Sequence, residues 1–436
     1  MATGPVSVRP LQSTQAHAFA FGGLQLFTVL LYLRPNELLP IGGFPIVKIV
    51  GLVTLLAFLL ERLSDGRRLS VLPRPAKYLL GLGTLAILSI PVAADPAASF
   101  SAFTDVFLKV LLVFLLMINV VTSFRRLRLA MEVMVLSGAF VAVATLFDFA
   151  RGRHLAEGFR AAGAVGGIFG NPNDLALAMN VLIPLAAGLA ISRSNPFLKL
   201  LYLGSVGLFA VTVVVTYSRS GFSTLAITGL FLLAKLGRRY PVAWAVGAAG
   251  GMALFMASPG AFWNRILTIF NASGGNATAA ESATARWGLI QRSLEVAGFN
   301  PVRWLLGVGL SNFHIVSDHE LVNHNAYLQV FNEVGLPALL MYLLFLASVM
   351  TITARITKRY LRARGYRQIW LAAATIQASL VAYAVGSFFA SVAFLWYVYY
   401  PAAFAVCLQR FVARTEREPE AREAAPRVWY LRRLQH

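Results

Sequence analysis

From end to end the chain repeats one pattern: apolar runs of about 17 residues or more, separated by short polar or basic connections. Wound as a helix, a run of that length matches the thickness of a bilayer's hydrocarbon core. Lipid offers no hydrogen bonds, so the backbone of such a run has to satisfy itself, and an α-helix does this within one segment. Candidate spans are 17–33, 43–60, 78–94, 103–121, 129–148, 174–192, 198–217, 221–236, 241–258, 326–353, 369–391 and 394–412. Composition agrees: 58% of the 436 residues are hydrophobic and 13% are charged, against about 25% charged in a typical soluble domain. The expected fold is an all-α polytopic membrane protein with about 12 transmembrane helices. Residues 1–258 would hold the first nine or so, 259–325 a long loop, 326–412 about three more, and 413–436 a charged tail, either a frayed helix or disorder.

The formal charge of +20 suggests nucleic acid until its distribution is considered. Basic residues cluster in every second connection: Arg62 to Lys77, Arg125 to Arg128, Arg193 and Lys199, Lys235 to Arg239, Arg355 to Arg367, and the tail. Such alternation is a topology signal, and the positive-inside rule places those connections and both termini in the cytoplasm. No nucleic-acid partner is expected. Cys407 is the one cysteine and lies in an apolar run, so neither a disulfide framework nor a thiolate metal site is expected. The first 16 residues lack a short apolar core, and no cleaved signal peptide is expected.

The opposite side carries cations that the topology rule does not explain: Arg34, then Arg151, Arg153 and Arg160, then Arg219, then Arg265, Arg286, Arg292 and Arg303. An anionic ligand would explain them, because the planar guanidinium fork suits phosphate. Two connections on that side are long, about 149–173 and 259–325. The second contains "ATAAESATARWGLIQRSLEVAGFNP", with Trp287, Ile290, Leu294 and Val296 near helical spacing and Gly298 and Pro301 as stop signals. A partly helical loop at the membrane interface is expected there.

After that loop comes "HNAYLQVFNEVGL". On one helix continuing into the 326–353 span, Asn325, Gln329 and Asn332/Glu333 form a polar stripe with His324 at its end. Lipid penalises such a stripe, so it should face protein or a wet cavity. The amides can serve simply to tie helices together, with Glu333 paired to an arginine. His324, titratable near neutral pH and beside the cationic loop, is the better candidate for chemistry. In "VTYSRSGF" Arg219 stands between two spans, either as a ligand for an anion or as a helix-end cation snorkelling to water. In "GNPNDLALAMN" Asn173 or Asp174 can cap the following helix. "GVGLSNF" (307–313) is half a phosphate loop without its lysine, and nucleotide binding is not supported. His314, His319 and His324 are spaced unlike a zinc site, and Asp318, His319 and Glu320 suit a solvated turn, so no metal is expected.

The ordered set "TYSRSG", "TARWGLI", "NPVRWLLGVGLSNF" and "HNAYLQVFNEVGL" resembles the O-antigen ligase/polymerase family, best from about Ser218 to Leu340. The resemblance implies a metal-independent membrane glycosyltransferase of C-type architecture, in the bacterial inner membrane, acting at the periplasmic face without a cofactor. Its donor would be a glycan on undecaprenyl diphosphate, and for a ligase the acceptor would be a sugar hydroxyl of lipid A–core. Carried over, His324 matches the essential histidine, Arg219 and Arg286 match essential arginines, and Arg265 is a further diphosphate candidate. Asn325, Tyr327, Arg160 and Asn171 are candidates for other substrate contacts. A single dominant loop before the histidine favours a ligase. The 149–173 loop keeps a polymerase open, since polymerases often have two arginine-bearing outer loops, and a protein O-oligosaccharyltransferase is a further alternative. From other classes come an anion transporter of the bicarbonate type, with the arginines as a vestibule, and a lipid carrier without chemistry.

Overall fold

The apolar runs are helical, as lipid requires. The computed structural model describes residues 17–35, 45–66, 70–267, 288, 291–317 and 323–433. α1 (Ala18–Leu33) packs on α2 (Ile46–Ser64). α3 (Arg74–Ser89) is followed by α4 (Pro96–Ala102), a π-helical turn over Phe103–Phe107 and α5 (Leu108–Val120). Next come α6 (Phe124–Ala150), α7 (Pro172–Ser192), α8 (Pro196–Val215), α9 (Arg219–Gly237) and α10 (Val242–Ala257). Short helices α11 (Gly260–Leu267), α12 (Pro301–Leu306) and α13 (Phe313–Val316) belong to the long loop. The chain closes with α14 (Ala326–Val334), α15 (Leu336–Tyr360), α16 (Arg367–Gly386) and α17 (Tyr399–Arg433). Among the described residues eight helical segments are long and apolar enough to cross a membrane.

α7 and α16 form the buried centre of the bundle. Small residues bring helices close, as is common in membranes. Gly188 lies against Thr375, where a Cβ would have no room, and Ser379 Oγ donates to the Val181 carbonyl at 2.7 Å. Hydroxyl pairs tie other helices: Tyr342 to Tyr383 at 2.6 Å and Thr28 to Tyr400 at 2.9 Å.

Two local expectations are corrected. The 326–353 run is not one helix but breaks at Gly335, whose φ is +95°. A Cβ there would strike the Leu305 backbone, so α12 can cross this close only over a glycine. Neither Asn173 nor Asp174 caps α7; Asn171 does, accepting from the Asn173 N–H at 2.8 Å. The tail takes the helical one of its two expected forms, continuing the last apolar run through Arg433. The amphipathic segment is helical over 291–297 and ends at Gly298 with φ +49°, the expected stop. Its start, with Arg286 and Trp287, lies outside the described residues, as do Asp318, His319 and Glu320.

Candidate functional site

Three helix ends meet at one end of the bundle. The first is the turn between α8 and α9. Tyr217 turns the chain with φ +49°, and Ser218 caps α9 by accepting from the Gly221 N–H at 3.0 Å. Arg219 is thereby the first residue of α9, half-buried. A cation there opposes the helix dipole, whose positive end lies at the N-terminus. The turn is held from the neighbouring loop by Arg160, which is buried. Its Nε donates to the Thr216 carbonyl at 3.0 Å, one Nη to Glu157 at 2.7 Å and the other to Asn173 Oδ1 at 2.8 Å. Ser218 Oγ donates to the same Asn173 oxygen at 2.8 Å. One amide thus links the 149–173 loop, the start of α7 and the Arg219 turn. The loop itself is a small β-hairpin, Leu155–Ala156 against Arg160–Ala161, anchored by Asp148, which holds Arg153 at 2.5 Å and His154 at 2.8 Å.

Phe262 and Trp263 of α11 pack on Phe222, with ring centroids 5.5 and 5.7 Å apart, so the backbone of Arg265 lies near the Arg219 turn. The Arg265 side chain and the whole of Arg286 lie outside what is described. Arg292 and Arg303 are engaged locally: Arg292 with Glu295 at 3.0 Å and Arg303 with the Val296 carbonyl at 2.9 Å.

The second helix end is the start of α14. His324 is half-buried with φ +44°, a left-handed conformation uncommon outside glycine and asparagine. Its neighbours fix it there. On one side Asn323 is buried and its Oδ1 accepts from Asn332 Nδ2 at 2.7 Å. On the other, Asn325 caps α14, accepting from the Tyr327 and Leu328 N–H groups at 2.9 and 3.0 Å. The strained residue is therefore clamped between two bonded asparagines, an arrangement that holds an imidazole at a set place.

The third is the end of α16. Tyr327 donates its hydroxyl to the Ala384 carbonyl at 2.8 Å, and its ring lies 4.5 Å from that of Phe388. Burial pushes the Tyr327 phenol up, so it stays protonated. Gly386 of the same helix end sits against Leu177 of α7 and Thr224 of α9. The helices bearing Arg219 and His324 thus dock on one shared end of α16. Of the residues singled out in the sequence, Arg160 and Asn171 adjoin the Arg219 turn, and Asn325 and Tyr327 adjoin His324.

The rest of the polar stripe is structural. Glu333 is buried and pairs with no arginine among the described residues; its carboxyl accepts from the Ser311 N–H at 2.9 Å and from Gln329. Gln329 Oε1 in turn accepts from the Ala393 N–H at 3.2 Å. The 307–312 segment spends its N–H groups on protein: Val308 on the Asn332 carbonyl, Gly309 on that of Glu333, and Leu310 on Ser99 Oγ. It is a strap between α14 and α4, with no donors set aside for a phosphate.

Burial pushes the Glu333 carboxyl up to about 7. As pH rises, the unfolded chain releases this proton before the folded one does. Stability should therefore fall between about pH 4.5 and pH 7, by up to roughly 3 kcal/mol. Glu333→Gln keeps an acceptor for Ser311 and should flatten that slope while melting within about 1 kcal/mol of the parent near neutral pH; Glu333→Ala should lose roughly 2–3 kcal/mol. Thermal melts in detergent across pH check this. A Gln variant with the parental slope would show that another group titrates.

Residues 204–343 match the family model described as O-antigen ligase. That range contains both Arg219 and His324, and the match supports the O-antigen ligase family without separating ligase from polymerase. No curated protein matches the chain.

Proposed function

Taking residues 204–343 as an O-antigen ligase domain, we propose that this chain transfers a glycan from a lipid diphosphate to a hydroxyl acceptor at the membrane surface, and that lipid A–core is the acceptor. The observation that carries this is that the Arg219 turn and the His324 helix, both within the family-matched segment, meet on one end of α16. The acceptor oxygen attacks the anomeric carbon as the bond from that carbon to the diphosphate oxygen breaks. The diphosphate leaves with its electron pair, the hydroxyl proton passes to the His324 imidazole, and the anomeric centre inverts. Arg219 stabilises the charge that grows on the leaving group, with Arg286 and Arg265 as further cations from the long loop. An activated diphosphate needs no enzyme nucleophile, and arginines supply positive charge without a metal or cofactor.

The test is transfer by purified protein in detergent, with lipid-linked glycan and lipid A–core and no ion gradient. Glycan appearing on the acceptor supports the proposal. No transfer, together with gradient-driven anion flux in vesicles, would replace it with transport. A second outcome has its own support: Arg160 joins the 149–173 loop to the Arg219 turn, giving the site a second arginine-bearing loop. If the glycan instead lengthens on its own lipid carrier, the enzyme is a polymerase.

The site is further proposed to face the periplasm of a bacterial inner membrane, with both termini cytoplasmic, because the basic connections alternate. In a Cys407→Ser background, Asn276→Cys should react with an impermeant maleimide added outside the cytoplasmic membrane, and Gly365→Cys should not. The opposite labelling would put the site on the wrong side for an exported glycan.

A further inference from the structure

Beside Arg219, Asn173 has a hydrogen-bonding capacity that the fold does not use. Arg160 offers only N–H donors, so the Asn173 atom facing its Nη at 2.8 Å is the amide oxygen, Oδ1. Ser218 Oγ donates to the same oxygen at 2.8 Å, while itself accepting from the Gly221 N–H at 3.0 Å. Two donors occupy the two lone pairs of Oδ1 and fix the amide one way round. Its Nδ2, with two N–H donors, has no hydrogen-bond partner among the described residues. Arg160, Thr216 and Ser218 around it are buried, and Arg160 also reaches the Thr216 carbonyl, so the amide is held stiffly. Asn173 itself lies half-buried in the first turn of α7. With Ser220, Gly221, Gly386 and Phe389 it lines a crevice where α7 and α9 meet the end of α16. The His324 helix docks on that same end through Tyr327. Asp174, the next residue, lines a different cavity, with Leu30 of α1 and Trp396.

We propose that Asn173 Nδ2 donates to the departing diphosphate beside Arg219, and that Arg160 is the positioning residue that keeps this donor aimed. The assignment rests on the transfer proposed above and adds a neutral donor to its anion seat. The bond from the anomeric carbon breaks and its electron pair goes to the diphosphate oxygen. Charge grows on that oxygen, the amide keeps both its protons, and the hydrogen bond between them strengthens. A donor fixed before the reaction gives this stabilisation without reorganising. Arg160 is bonded to Thr216, Glu157 and Asn173, so it acts through the amide rather than on the ligand.

Two substitutions in the full-length protein separate the roles Asn173 can have. Asn173→Asp keeps the oxygen that Arg160 and Ser218 bond and removes the N–H donors. Asn173→Ala removes both and adds no charge. If Nδ2 touches the leaving group, both variants should lower turnover at least tenfold. Both should also bind undecaprenyl diphosphate at least tenfold more weakly than the parent, measured by native mass spectrometry in detergent with no acceptor. Asn173→Asp should melt close to the parent, because its carboxylate still bonds Arg160, and Asn173→Ala should melt lower. Should the alanine variant fail to fold, Asn173→Ser, neutral and shorter, takes its place. Asn195→Asp, the same exchange at the cap of α8, at the end of that helix away from Arg219, should transfer as the parent does. Arg160→Lys should lower turnover in the parent and add little to Asn173→Asp; equal losses in both backgrounds would overturn the positioning role. Normal turnover by Asn173→Asp would make Asn173 a structural link. A loss confined to Asn173→Asp would reduce its effect to charge repulsion, and parental diphosphate binding by both variants would remove the contact; each of these overturns the inference. Diphosphate binding that depends on Asn173, in a parent that transfers no glycan, would sink the proposed transferase and leave the contact standing.

Discussion

Replacing His324 by alanine is expected to abolish glycan transfer, lowering turnover by about 10²–10⁴, the usual cost of losing a positioned general base. Insertion, folding and binding of the lipid-linked donor should survive. An imidazole at the start of α14 can accept the hydroxyl proton as the acceptor oxygen attacks. Its left-handed backbone complicates alanine as a probe, because a non-glycine residue at φ +44° carries strain of its own. Asparagine tolerates that conformation better than most residues, so His324→Asn removes the base while preserving the turn. Both variants should fail alike in transfer and melt close to the parent. His314→Ala, exposed on α13, should transfer normally. Near-normal transfer by His324→Asn would end the base assignment and leave the "HNAYLQVFNEVGL" stretch as a packing motif.

Arg219 should give the second largest loss. Arg219→Ala is expected to reduce turnover roughly 10²–10³-fold, comparable to removing one preorganised donor from a developing anion. Arg219→Lys should recover little, since an ammonium lacks the planar fork. The position of Arg219 makes this separable from stability. As the first residue of α9 its charge opposes the helix dipole, at a typical cost of about 0.3–1 kcal/mol. The alanine variant should then lose far more in transfer than in melting temperature, the pattern of a residue kept for a ligand. Arg292→Ala and Arg303→Ala, whose side chains bond within their own segment, should transfer nearly as well as the parent. Equal tolerance at all three positions would reduce these arginines to surface charge.

Much of the fold was legible because the constraint is local. A run of apolar residues long enough to cross a bilayer has to be helical whatever surrounds it, so α3, α6, α7, α8, α9 and α16 fall where the hydropathy places them. Arg219 and His324 stand out as candidates for a related reason: each is a costly group at the mouth of an apolar run, and "TYSRSG" and "HNAYLQVFNEVGL" carry a family resemblance that the match over 204–343 supports. The sequence by itself therefore determined the class of fold, and it put forward the two residues on which the proposed chemistry depends.

Tertiary structure decided how those residues are held. The break at Gly335 is invisible to hydropathy, because the run stays apolar across it; the cause is α12, whose Leu305 backbone comes too close for a side chain. Glu333 suggested an arginine partner, yet it meets the Ser311 N–H, 22 positions earlier in the chain. Arg160 looked like one loop cation among several until Thr216, 56 positions away, fixed it to the Arg219 turn. Asn173 suited a helix cap, and only the approach of Ser218 and Arg160 makes it a hub. Helix formation depends on the residue and its near neighbours, whereas a buried polar group's partner depends on which distant surfaces pack together.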